Sequence, residues 1–529
     1  MSSSMQISKA FPHGAFPPSP GGGAPENAER IRLEHMRHQR IHRLRTLQVW
    51  WYPFLFAIFG AVVAVIMGEY VFDQPKLVIG GVVLVPLILL MIKRNEFGLL
   101  IFAAAVTPFV PSALKVSTLY ISPAIPVLLL LVFLVLLRKA FHVADTISLS
   151  LWTTWPLVGL ILMAIVSEAM GQLTWLYGVP HEVLGNPIAF EEVIGLVMYC
   201  IPLLIVWLAS GALSNRDEWI GHIQHTFLVL SLLDAGVILV EFKHIGADIY
   251  AFRYATPSIG WMPLEAMAQL LVLGCLIAYV RFLYANQWKT RMIYGAAALI
   301  DLLALYLSLE NSWWVEGAVG LAVITIFYSR KLFVVFCVAV LPLIPVVRSF
   351  LQKLASVKSV DALRLTIWQD MLRVWTKRPI LGVGPGNLWA YDQTFSQLPE
   401  GVRNFGKSGL GVAHEGYLQT LGELGPLGLL CQVAFIAIMI IASVRLYRRS
   451  RAASTEEARQ NCILGLIGLG LVCGSSAGDF VAAYFFLPPR QSVHVASLPQ
   501  AMASWVIYGC VLYKDQIWRL TRRGLDVKG

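Results

Sequence analysis

Charge is scarce in this chain. Asp, Glu, Lys and Arg make up 14% of its 529 residues, where a soluble domain carries about 25%. With 57% hydrophobic residues and a mean hydropathy of +0.67, an ordinary soluble globule is excluded. Cysteines outside the apolar runs are missing altogether. All seven (Cys200, Cys275, Cys337, Cys431, Cys462, Cys473 and Cys510) lie inside such runs, so neither a disulfide framework nor a zinc-type spacing is present. The external loops hold no Asp/His/Cys cluster at ligand spacing, and neither metal nor cofactor is expected. Residues 1–29 lack the apolar core of a signal peptide. They are rich in Ser, Pro and Gly and are expected to be disordered.

What the chain does have is apolar runs of about 20 residues, each long enough to cross a hydrocarbon core of about 30 Å. Spans are expected near 47–67, 77–92, 98–114, 119–137, 151–168, 190–213, 221–241, 263–283, 292–309, 313–329, 332–350, 416–444, 461–480 and 497–513. The fold class is therefore an all-α polytopic membrane protein of about 14 transmembrane helices. Placing the N-terminus in the cytoplasm puts 27 of the 41 Lys and Arg on the cytoplasmic side and 14 outside. Nine of those 14 lie in one long loop, 348–413, and long loops follow the charge rule poorly. Without that loop the ratio is 27 to 5. The net charge of +10 thus reads as positive-inside bias, not as affinity for nucleic acid. The basic stretch "RIRLEHMRHQRIHRLR" (30–45) reads as an anchor on anionic lipid headgroups.

A non-helical connection as long as 348–413 is usually functional. Within it, "SVDALRLTIWQDMLRVWTKRP" (359–379) has helical periodicity. Val360, Ile367, Met371, Val374 and Trp375 share one face; Asp361, Gln369, Asp370, Arg373 and Lys377 fall mostly away from it. This predicts an amphipathic helix stopped near Pro379. Arg364 breaks the pattern, projecting at about 100° per residue between Met371 and Trp375. An inward guanidinium needs an anionic partner, either a structural carboxylate or an anionic ligand.

The next stretch, "ILGVGPGNLW" (380–389), offers Gly382, Gly384 and Gly386 for a tight turn able to approach a phosphate or glycan. Then comes "AHEGYLQTLGELGPLGLL" (413–430). Gly425-Pro426 interrupts any helix, and Pro426 suits the first turn of a new one. Residues 414–424 are expected to form a short helix or turn above the span, with His414 at its outer end. Histidine is the side chain best matched to proton transfer near neutral pH. Arg253, in a second external loop (242–262), precedes a Pro- and Gly-containing turn. Two arginines suit a pyrophosphate, which guanidiniums grip bidentately. A histidine suits deprotonation of an incoming hydroxyl, and the hydrophobic bundle suits a polyprenyl tail.

These stretches together resemble the O-antigen ligase/polymerase family of membrane glycosyltransferases. The resemblance rests on Arg364, Trp368 and Pro379–Gly384, followed by His414, Leu418, Glu423, Gly425 and Gly428. It covers about 65 residues closely. It implies transfer of a glycan from an undecaprenyl-pyrophosphate carrier to an acceptor hydroxyl in the periplasm, at the inner membrane. The acceptor would be lipid A–core, another lipid-linked glycan, or protein. His414 would be the activating base, and Arg364 and Arg253 would hold the pyrophosphate. Glu415 and Glu423 are candidates for orienting the histidine, although the family often has Asn or Asp where Glu415 stands. The implied organisation is a disordered then basic cytoplasmic segment (1–46), a bundle of about 11 helices (47–350) and a long, partly helical periplasmic catalytic loop (351–413). The remaining transmembrane helices (414–513) and a basic cytoplasmic tail (514–529) complete it.

The rival reading is a transporter or flippase, which would draw on the carboxylates Glu168, Asp234, Asp301 and Asp479 within apolar runs. No internal repeat supports it. A scaffold of an export complex is a third alternative.

Overall fold

The computed structural model describes residues 95–105, 114–116, 119–121, 124–140, 149–171, 188–213, 219–245, 258–259, 262–340, 360–385, 387–388, 391, 395, 415–451, 455–479 and 498–522. The chain divides into two compact units, Met1–Pro86 and Leu87–Gly529, and every described residue belongs to the second. The basic anchor and the spans at 47–67 and 77–92 lie outside the described residues.

In lipid a backbone must satisfy its own hydrogen bonds, so long apolar runs fold as helices. The described helices are α1 (Asn95–Ala105), α2 (Ala124–Ala140), α3 (Leu151–Gly171), α4 (Ile188–Leu213), α5 (Trp219–Ile245) and α6 (Leu264–Tyr284), followed by α7 (Trp288–Ser308), α8 (Asn311–Tyr328), α9 (Arg330–Val340), α10 (Val360–Thr376), α11 (Gly416–Ser450), α12 (Glu456–Gly478) and α13 (Leu498–Arg522). Six of them contain stretches long and apolar enough to cross a membrane: Leu151–Met170, Trp219–Ile245, Met267–Tyr284, Trp288–Ser308, Gly416–Ser450 and Glu456–Gly478. The chain is thus a multi-pass helical membrane protein. Two antiparallel hairpins, β1 (Leu114–Val116) with β2 (Leu119–Ile121) and β3 (Ser258–Ile259) with β4 (Met262–Pro263), were not expected from the apolar pattern.

Helices α6 and α12 form the centre. In their apolar stretches 83% and 78% of residues are buried, against 33% in α7. Leu299 and Leu303 of α7 accordingly face outward, as lipid-contacting residues do. α6 packs on α5 and α7, α12 on α8 and α11, α11 also on α3, and α13 on α4. Small residues let α8 and α12 close on each other: a Cβ at Gly320 would lie 3.0 Å from the Gly470 carbonyl oxygen. Between the same helices Ser475 Oγ donates to Glu316 Oε1 at 2.6 Å, which satisfies a carboxyl in the core.

Candidate functional site

The site is built around a break in α11. Its first residues, Gly416–Leu424, form a short helix capped by Glu415, whose side chain accepts from the Leu418 amide. Gly425 then adopts φ 71°, ψ −173°, and Pro426 starts a long second segment, as the Gly-Pro pair predicts. The helical partner of the Gly422 carbonyl would be the amide of residue 426, and proline has none. The Val383 amide supplies the missing bond at 2.8 Å. The next carbonyl, of Glu423, accepts from the Gly384 amide at 2.9 Å and from Ser167 Oγ of α3 at 2.7 Å.

The donating turn leaves α10 in a tight path. Trp375 Nε1 donates to the Pro379 carbonyl at 3.2 Å, and the Gly382 amide donates to the Arg378 carbonyl at 3.0 Å. Gly382 and Gly384 hold φ 73° and 96°. A Cβ at Gly382 would lie 2.4 Å from the Glu423 backbone, and one at Gly425 would lie 2.2 Å from the Ile380 carbonyl oxygen. Turn and break therefore interlock only with glycine on both sides. The amides of Val383 and Gly384 are directed at protein carbonyls, which gives these glycines an architectural role beside any contact with ligand. Beyond the turn, Asn387 Nδ2 donates to Glu168 Oε2 of α3 at 3.1 Å.

Glu423 is buried and its carboxylate is held twice, by Tyr199 Oη of α4 at 2.9 Å and by Gln419 Nε2. The start of α11 is fixed as firmly. The Gly416 amide donates to the Asp479 carbonyl at 2.8 Å, Tyr417 Oη donates to the Ser476 carbonyl at 2.9 Å, and Gln432 Nε2 donates to Asp479 Oδ2 at 2.9 Å. A Cβ at Gly416 would fall 2.1 Å from the Asp479 carboxylate. Burial raises the Glu415 carboxyl above its usual range, opposed by the Leu418 and Tyr417 amides it caps. The residue before it in sequence is His414.

Helix α10 forms where the periodicity predicts it, over Val360–Thr376, and packs on α11. Met371 and Val374 are buried, while Gln369, Arg373 and Lys377 are exposed. Asp370 differs from expectation: it is 1% exposed rather than on the polar face. Arg373 Nη1 reaches its Oδ1 at 3.6 Å from the surface side, which lowers the cost of burying that carboxylate. Arg364 belongs to α10, but its side chain lies outside the described residues, as do His414, Arg253 and Gly386. Sequence reasoning did not assign Ser167, Tyr199 or Gln432 to the site. It read Glu168 and Asp479 as bundle carboxylates. Among the described residues no three His, Cys, Asp or Glu side chains gather where they could hold a metal ion.

The fold and the junction define a multi-pass helical membrane protein with a glycine-locked break in one span. Residues 296–433 match the family model described as O-antigen ligase, from within α7 through α10, the glycine turn and the break to the middle of α11. Both halves of the sequence motif fall inside that match. Comparison with curated proteins gives no match.

Proposed function

We propose that this protein acts in surface polysaccharide synthesis as an O-antigen ligase/polymerase-type glycosyltransferase, using a lipid-linked glycan as donor. One observation supports the reading most strongly. The two halves of the motif, Arg364 to Gly384 and His414 to Gly428, are separated in sequence, but their described parts are hydrogen-bonded to each other through Val383–Gly422 and Gly384–Glu423. A family match over 296–433 accompanies that contact.

In the proposed reaction the acceptor hydroxyl oxygen attacks the anomeric carbon of the donor glycan. His414 takes the hydroxyl proton. The bond from the anomeric carbon to the pyrophosphate oxygen breaks, and undecaprenyl pyrophosphate leaves with its charge held by Arg364 and Arg253. The site faces the periplasm at the inner membrane, and residues 351–413 lie on that side. Glu415 keeps the backbone beside His414 in a helix cap, and Asp479 anchors the following residue, so both act on the base by position. The glycine turn serves the same end by keeping α10, which carries Arg364, against α11.

Two carboxylates on which a transporter reading draws, Glu168 and Asp479, are bound to Asn387 and Gln432 at this junction. The acceptor is lipid A–core, a growing polysaccharide or protein. The test is His414→Ala, purified and assayed with lipid-linked donor. Transfer is expected to fall by about 100-fold or more, the range for loss of a general base. Near-wild-type turnover would falsify the assignment.

A further inference from the structure

A second polar site lies at the far end of the bundle from the glycine junction. From Pro426 to Ser450, α11 spans roughly 35 Å at the usual helical rise. Just beyond its end, α6, α7 and α12 meet around a cavity of about 270 Å³ whose lining includes Arg281, Tyr284, Gln287, Thr290, Tyr294 and Arg459.

Arg281 is 7% exposed and its Nε is buried without a hydrogen-bond partner. Its hydrogen-bond and ring partners are neutral: Nη2 donates to Gln224 Oε1 at 2.8 Å, and the guanidinium carbon lies 6.0 Å from the Tyr294 ring centre, while Glu456 acts on it only through space, with no ion pair between them. Among the described residues no carboxylate pairs with it. A guanidinium in this position costs free energy unless an anion neutralises it. Arg459 stands across the cavity, bound to the Tyr284 carbonyl and to Glu456, 3.1 Å away. Glu456 is 65% exposed and is not among the residues that line the cavity. The first turn of α7 opens toward the same space, and its capping residue Gln287 places no side-chain acceptor on the free amides. A helix N-terminus, a buried arginine and a second arginine thus converge with one solvent-facing carboxylate beside Arg459.

We infer that this cavity binds a phosphate-bearing anion. Arg281 supplies the buried charge, Arg459 and the Thr290 hydroxyl line the opening, and the α7 amides face the phosphoryl oxygens. The charge asymmetry of the loops places this end on the cytoplasmic side, where two sources offer the same chemistry: an anionic lipid headgroup of that leaflet, or a soluble phosphate compound. The inference does not depend on the transfer reaction.

Two measurements on the purified full chain test it. The first is thermal unfolding in detergent titrated with inorganic phosphate against chloride at matched ionic strength. The second is retention of phosphatidylglycerol over phosphatidylcholine by native mass spectrometry. Each is made on wild type, Arg281→Gln and the more exposed Arg459→Gln, which keeps the test alive if the buried substitution impairs folding. Wild type is expected to be stabilised by phosphate, with a midpoint about tenfold weaker in Arg459→Gln. Selective retention of phosphatidylglycerol, lost in Arg459→Gln, assigns the lipid headgroup. A phosphate shift without lipid selectivity assigns the soluble source. No phosphate shift and no lipid selectivity in wild type, or equal responses in wild type and Arg459→Gln, overturns the site.

Discussion

The Gly384 amide and the Glu423 carbonyl, 39 positions apart along the chain, meet at 2.9 Å. That bond ties a loop following an amphipathic helix to the weakest point of a membrane span. Both α10 and the residues after His414 are positioned through it.

Gly382→Ala is expected to lower stability by at least about 2 kcal/mol, because a left-handed backbone acquires a side chain that meets other backbone atoms. Gly221→Ala is the control. A Cβ there meets nothing within 4 Å, so the change is expected to be neutral or slightly stabilising. Thermal melts of both variants in detergent make the comparison, and equal melting temperatures would remove the interlock.

Arg364 separates two roles by opposite changes in stability. As a pyrophosphate ligand, Arg364→Met leaves melting at or above the wild-type value while transfer is lost, and Arg364→Lys keeps the charge but loses the planar fork, so donor affinity weakens. The expectation is this pattern. A Met variant that melts early and still transfers glycan means that the arginine serves a structural carboxylate instead.

How much of this was readable from residue order depends on distance along the chain. The runs at 263–283 and 292–309 become α6 and α7 to within a few residues, because a helix in lipid is dictated by its own composition. The break at Gly425-Pro426 was equally plain, since proline lacks an amide whatever surrounds it. Its consequence was not: Val383 and Gly384 close the gap from 39 residues earlier, and no local pattern announces a donor. Ser167 and Tyr199 reach Glu423 from 256 and 224 residues away, and they look like ordinary polar residues in apolar runs. Asp370 was misplaced because a helical wheel ignores that Arg373, one turn on, can cover a buried carboxylate.

Transfer is expected to persist in excess EDTA, because two arginines are proposed to carry the pyrophosphate charge. The assay uses purified protein and lipid-linked donor. Complete loss that magnesium or manganese restores would show that a divalent ion is required.

Cysteine introduced at Ser396 is expected to react with an impermeant thiol reagent in intact cells after the outer membrane is permeabilised. The basis is the 27-to-5 distribution of Lys and Arg. Labelling that appears only after inner-membrane lysis would reverse the orientation and move the Arg281 cavity to the outer leaflet.

The break in α11 also bears on how the chain is assembled. A span carrying the open carbonyl of Gly422 cannot settle that turn in hydrocarbon by itself. Residues 380–388 leave the ribosome before α11 does, so the amides that close the gap already exist when the span emerges. Docking of the glycine turn is then expected to follow the emergence of α11, because its acceptors, the Gly422 and Glu423 carbonyls, lie in that span. It converts a span poorly suited to lipid at its upper turn into a finished one, and it couples completion of the membrane domain to assembly of the loop that is proposed to do the chemistry.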